Sequence, residues 1–91
     1  MYTRKPTRSF KKSLKKIAFS GDSKIRMEIE NVIGKLVNDE KLDKKHHDHP
    51  LNGPLDNCRG CHIRPDLILI YQVDDNDLIL VDIGSHSELF G

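Results

Sequence analysis

Residues 58–91 read CRGCHIRPDLILIYQVDDNDLILVDIGSHSELFG, and the two apolar runs inside this stretch, LILIYQV at 67–73 and LILVDI at 78–83, decide the fold. Both are rich in Ile, Leu and Val, and the cluster Asp74, Asp75, Asn76, Asp77 between them is turn chemistry, so they predict an antiparallel hairpin. In such a hairpin the start of the first strand lies beside the end of the second. His62 and Asp66, which lead into the first run, are thereby brought near His86, which follows the second.

Working outward from the hairpin, 59–64 forms a further short strand, and 38–57 is a polar loop holding two prolines, a glycine and three of the five histidines. Loops of that length in a small domain are often functional or mobile. Upstream, Ile25, Ile29, Val32, Ile33 and Leu36 mark the buried stripe of a helix that Asp22 or Ser23 can cap and that ends near Asn38. Phe10, Leu14 and Ile17 recur at i, i+4 and i+7 in an earlier helix preceded by Ser9 and stopped at Ser20-Gly21. The short connection makes the two helices antiparallel. A segment from Tyr2 to Pro6 is expected as an edge strand, since Pro is tolerated at strand borders. The expected class is α+β, in the order β-α-α-β-β-β, with an antiparallel sheet packed against two N-terminal helices.

At 91 residues this is one domain, residues 1–91, with a core limited to one sheet face and its helices. No apolar run nears the roughly 20 residues of a membrane span, and no signal-peptide stretch opens the chain. The expectation is a soluble cytoplasmic protein without membrane contact, in which Cys58 and Cys61 are thiols. Charge is unevenly spread. Residues 1–30 hold nine Lys or Arg against three acids, and residues 31–91 hold six against eleven. Lys11, Lys12, Lys15 and Lys16 form the cationic face of the first helix, suited to an RNA backbone or an acidic protein segment, or simply to solvent.

Three chemistries compete for the polar residues. Cys58-Arg59-Gly60-Cys61-His62 has the CxxCH form of c-type haem attachment, but that modification belongs to exported proteins. Cys58 and Cys61 with His46, His47 or His49 offer zinc donors without the usual second ligand pair, so no metal and no cofactor is expected. The third reading combines His49, His62, Asp66 and His86 with Arg59, Arg64 and the lysine face. Histidines exchange protons near neutral pH, a carboxylate can orient an imidazole, and guanidinium groups can neutralise a phosphate. These are the parts of metal-independent RNA cleavage: a base takes the 2′-OH proton, the oxygen attacks phosphorus, and an acid protonates the departing 5′-oxygen. The competing reading is a set of surface histidines with no shared task.

The run Asp48-His49-Pro50-Leu51-Asn52-Gly53, then Arg59, His62, Pro65-Asp66, Leu69-Ile70-Tyr71 and Gly84-Ser85-His86-Ser87-Glu88-Leu89-Phe90, resembles the YafQ branch of the RelE/ParE toxin superfamily. The resemblance implies a RelE-like fold and a toxin of a type II toxin-antitoxin system: an endoribonuclease, or mRNA interferase, that cuts message in the ribosomal A site. It also implies a cognate antitoxin protein as partner, with the toxin monomeric alone and hetero-oligomeric in the inhibited complex. Carried onto this chain, His49, His62, Asp66, His86 and Phe90 form the active site. His86 is the general acid, His62 or His49 the base or a phosphate ligand, Asp66 orients a histidine, and Phe90 stacks on a base. Phe90 closing the core and Asp66 bracing a turn are the structural alternatives. Two departures stand out. Asp82 occupies a position where the family often has arginine, and Leu67 one where relatives can carry tryptophan. Asp82 motivates the alternative of a catalytically silent RelE-fold protein that binds antitoxin or nucleic acid without cutting.

Overall fold

The computed structural model describes residues 1–19 and 21–91. Ser20, half of the Ser20-Gly21 stop signal, lies outside the described residues. In chain order the elements are β1 (Thr3–Pro6), α1 (Arg8–Ala18), α2 (Ser23–Val37), β2 (His49–Pro50), β3 (Arg59–Arg64), β4 (Leu67–Asp74), β5 (Asp77–Gly84) and α3 (His86–Phe90). Two 3₁₀ turns, Lys44–His46 and Gly53–Leu55, flank β2, so the long polar loop is locally structured rather than featureless.

The β4–β5 hairpin forms as expected. Asp74 faces Asp77, and Asp75 turns the chain with a φ of 57°, a left-handed conformation that Asp accepts more readily than most residues. At the other end Ile68 faces Gly84, which puts the residues before β4 beside those after β5. The sheet order is β1-β5-β4-β3-β2. Here the expectation of an antiparallel sheet is corrected, because β1 runs parallel to β5 and the sheet is mixed. Main-chain donors impose that direction: Thr3 N–H donates to Asn76 O and Thr7 N–H to Leu80 O. All four β1 residues are exposed, so no apolar pattern in this strand encodes its orientation.

The helices follow their apolar stripes. Phe10 is buried in α1, and Leu14 and Ile17 pack partly buried against the same core. In α2 the buried residues are Ile29, Val32, Ile33 and Leu36. Asp22 caps α2 by accepting from Lys24 N–H, one of the two caps expected. Ser9, read as preceding the first helix, falls inside it, and the α1 cap is Thr7: its hydroxyl accepts from Phe10 N–H and donates to Val81 O. A capping hydroxyl is worth about 1 kcal/mol, and this one also ties the helix start to β5. Among the described residues no helix is long and apolar enough to cross a membrane.

On the helix side of the sheet Cys61, Ile63, Leu67, Leu69, Tyr71, Leu78, Leu80 and Ile83 join the helix stripes in one core. Each fully buried aliphatic side chain there contributes about 1.5–3 kcal/mol relative to exposure. Because strand side chains alternate, Gly60 and His62 of β3 and Ile68 and Ile70 of β4 turn to the opposite face. That face is also partly covered, since a Cβ on Gly60 would lie 3.1 Å from Leu51 Cδ2. Leu51 rests on the glycine, just after His49–Pro50 pairs alongside β3 as the sheet's edge.

Candidate active site

Four of the five expected active-site residues meet on this second face. His49, His62, His86 and Phe90 line one cleft of about 240 Å³, floored by Leu51 and Ile68. His62 arrives on β3 opposite Ile68 of β4, and His49 arrives on β2 opposite Gly60. His86 is the first residue of α3, whose Ser85 and Glu88 form a capping box. Glu88 accepts from Ser85 N–H, and that bond, with the Ser85 hydroxyl, holds its carboxyl below the ordinary range. The cap fixes where β5 stops and hence where His86 is presented.

The hydrogen bonds assign tautomers. His62 Nδ1 lies 3.1 Å from Pro65 O and His49 Nδ1 lies 2.6 Å from His47 O. A carbonyl can only accept, so each Nδ1 carries its hydrogen when the ring is neutral and each Nε2 is left as an acceptor. This is the form a general base requires. His46 makes a similar bond to His62 O at 2.7 Å, but it is buried at 9% exposure and serves the loop's attachment to β3. The rings of His86 and Phe90, one helical turn apart, contact each other with centroids 5.1 Å apart. Phe90 is 41% exposed and stands outside the core cluster. Core closure is therefore not its role.

Asp66 is close by, and its bond is to main chain rather than to a ring. Its Oδ1 accepts from His86 N–H at 3.0 Å, so it holds the main chain of His86 at the start of α3, where a carboxylate also suits the helix dipole. The arginines are engaged elsewhere. Arg64 reaches both oxygens of Glu28 and one of Asp22, tying β3 to α2. Arg59 Nε donates to Asp48 Oδ1, and the same carboxylate accepts from Tyr71 Oη at 2.7 and 2.8 Å. Neither arginine lines the histidine cleft. Lys11, Lys12, Lys15 and Lys16 are all exposed on α1.

Asp82 does not line the cleft either. The β4–β5 register skips Val81 in a bulge, pairing Tyr71 with Leu80 and Ile70 with Asp82. The Asp82 carboxylate accepts from Ser9 Oγ at 2.8 Å, Ser13 Oγ at 2.7 Å and Ile83 N–H at 2.8 Å. It is a bracket between β5 and α1. Ser9, which lies within the first turn of α1, serves this bracket. Leu67, the second departure, is a buried core residue.

The cysteines are free, buried thiols. Burial pushes Cys61 up to about 12 and also raises Cys58, which keeps both protonated and unreactive. Among the described residues no three His, Cys, Asp or Glu side chains converge in an arrangement that would hold a metal ion.

Two residues given no role from the sequence prove to organise the site. Asp48 anchors the loop through Tyr71 and Arg59, and Leu51 covers Gly60. Both sit in the DHPLNG run, whose mixture of a carboxylate and an apolar residue in an otherwise polar loop was the available signal.

Residues 2–91 match the family model described as bacterial toxin of type II toxin-antitoxin system, YafQ. The mRNA interferase toxin YafQ of Escherichia coli strain K12 is 42% identical over 50 residues, which cover 55% of this chain and 54% of that protein; the match thus spans about half the length of the curated relative. A metal-bound toxin from Helicobacter pylori is 41% identical with a TM-score of 0.90, covering 99% of this chain and 100% of that one. The toxin fold of the E. coli DinJ-YafQ complex superposes with a TM-score of 0.89 at 27% identity, over the whole of both chains.

Proposed function

Since the chain belongs to the YafQ family of bacterial type II toxins, we propose that it is an endoribonuclease that cuts messenger RNA in the ribosomal A site by metal-independent acid/base chemistry. The observation that carries this reading is the convergence of His49, His62 and His86 in one cleft with the Nε2 atoms of two of them open as acceptors. A base must be within hydrogen-bond reach of the proton it takes, and an acid must serve the opposite side of the phosphorus. His62 or His49 takes the ribose 2′-OH proton through Nε2, and the freed oxygen attacks the adjoining phosphorus. His86 gives a proton to the departing 5′-oxygen. Asp66 acts through the His86 main chain, and Phe90 offers a ring face on which an unstacked base can rest. The names of the relatives, an mRNA interferase toxin and a toxin solved with DinJ, support both the reaction class and an antitoxin partner.

The deciding experiment is cleavage of a translated message on purified ribosomes in the presence of a chelator. His86→Ala is expected to lower the rate about 10²- to 10⁴-fold, the usual share of a positioned acid or base, with an unchanged melting temperature. A His86→Ala protein that cuts as fast as wild type removes the assignment of the acid. A wild-type protein that binds its antitoxin yet never cuts marks a silent member of the family.

The antitoxin would meet the exposed lysine face of α1 through an acidic or amphipathic segment. Its affinity should then fall with added salt, and a flat salt profile would move the main contact elsewhere. In this reading the toxin acts in the cytoplasm, alone as a monomer and inhibited in a hetero-oligomer.

A further inference from the structure

His62 borders two cavities. One is the histidine cleft; the other is a larger cavity of about 520 Å³ lined also by Lys45, His46, His47, Ile63, Arg64 and Pro65. An RNA strand that presents one phosphate to His62 is a continuous polymer. Its neighbouring phosphodiester must pass out of the narrow cleft, and one way out leads across this ring into the second cavity.

The donors there sort themselves by what already occupies them. Arg64 already directs Nε and both terminal nitrogens to Glu28 and Asp22, and His46 is buried with Nδ1 bonded to His62 O. Lys45 is exposed, and among the described residues it enters no ion pair. His47 is exposed too, with its ring set edge-on to His62 at a centroid distance of 5.8 Å and an angle of 76°. The main chain of His47 is left-handed, φ 45° and ψ 48°, a conformation most non-glycine residues avoid. That turn carries out two tasks at once. It sends the His47 carbonyl to His49 Nδ1 and the His47 ring to His62, so one residue touches both candidate bases while bordering the second cavity.

We infer that the cavity beyond His62 is a subsite for the phosphodiester adjoining the scissile one, held by the Lys45 ammonium and the His47 imidazole. The inference rests on the RNA-cleavage reading above and names where the strand continues. A Lys donor in an open cavity binds phosphate as a point charge without base preference. The subsite would therefore add affinity and register to the strand, not sequence choice.

The test uses ribosomes programmed with a message whose cut-site nucleotide carries a 2′-O-methyl group, which blocks cleavage. The phosphates flanking the scissile linkage are replaced one at a time by an uncharged methylphosphonate. Wild-type binding should weaken roughly tenfold at one flanking position, as expected for a hydrogen bond to a charged group. Lys45→Gln should bind more weakly overall and lose most of that sensitivity. The double variant Lys45→Gln/His47→Asn should lose all of it, Asn being chosen because it accepts the left-handed backbone. Each phosphate contact removed should also lower the slope of log affinity against log salt by about 0.7.

Indifference of the wild type to every flanking methylphosphonate would overturn the subsite. So would variants as sensitive as wild type at the same position. Lys45 is exposed, so its single variant keeps the test available even if His47→Asn disturbs the turn. Cleavage of unmodified message is measured alongside. Intact cleavage without phosphate sensitivity sinks the subsite alone, whereas absent wild-type cleavage sinks the parent reading whatever the binding pattern.

Discussion

The two faces of the central sheet share the same strands and divide the molecule's work between them. On β3, Cys61 and Ile63 enter the helix-side core, while Gly60 and His62 face the cleft side. On β4, Leu67, Leu69 and Tyr71 point one way and Ile68 and Ile70 the other. The helix side is closed by α1 and α2 and is almost wholly apolar. The other side carries Leu51 against Gly60 and the His86 and Phe90 side chains of α3, and three imidazoles line a cleft there. Residues adjacent in sequence thus answer to different constraints, packing on one side and, in the function proposed above, proton transfer on the other.

The sharpest way to break this division is to alter neighbours across it. His62→Ala should reduce message cleavage by about 10²-fold or more with little change in the urea midpoint. Leu69→Ala, which empties a fully buried position, should cost about 2–5 kcal/mol of stability. Its cleavage rate per folded molecule should stay close to wild type. Substantial cleavage loss in folded Leu69→Ala, or a large destabilisation in His62→Ala, would mean that the two faces are coupled.

The same division explains what was legible in the sequence. Core positions announce themselves by period: the stripe of α2 and the two runs of the hairpin were read residue by residue, because burial on a helix or strand repeats. Elements whose partners are set by distant main chain carry no such mark. β1 has four exposed residues and takes its parallel direction from Asn76 and Leu80 carbonyls. β2 is two residues long and is defined by its main-chain pairing with Arg59 and Gly60 of β3. For the site, the histidines were visible as residue types suited to one reaction and as parts of a familiar pattern. The duties of the charged groups were not. Composition counts Arg59, Arg64 and Asp82 as free charges, yet Asp48, the Glu28–Asp22 pair and two α1 hydroxyls respectively engage them. Only the folded chain says which carboxylate meets which cation.

One residue bridges the two faces, and altering it should have a smaller effect. Tyr71 has its ring in the core and its hydroxyl on Asp48, next to His49. Burial, then the Asp48 carboxylate, raises its phenol above the usual range, so it remains a donor at any working pH. Tyr71→Phe keeps the packing and removes only the donor. Stability should fall by about 1 kcal/mol, and cleavage should drop a few-fold as the loop that carries His49 loosens. An unchanged cleavage rate would show that Arg59 alone suffices to hold Asp48.

The smallest expected effect lies at the rim, where Arg64 of β3 clamps Asp22 and Glu28 of α2. Hydrogen bonds from the guanidinium hold both carboxyls below their ordinary range. A carboxyl whose folded pKa is depressed releases its proton more readily in the folded state than in the unfolded chain. Its stabilising effect is complete above the unfolded value, about 4, and is lost as pH falls through the lower folded value. Both carboxylates are open to solvent, so the contribution is modest and screened by salt. The urea midpoint of wild type should therefore fall as pH drops below about 4, and Arg64→Met should fall less steeply over the same interval while cutting message at the wild-type rate at neutral pH. If Arg64→Met instead lost cleavage with its pH dependence of stability unaltered, the guanidinium would belong to the RNA side of the sheet and not to the scaffold.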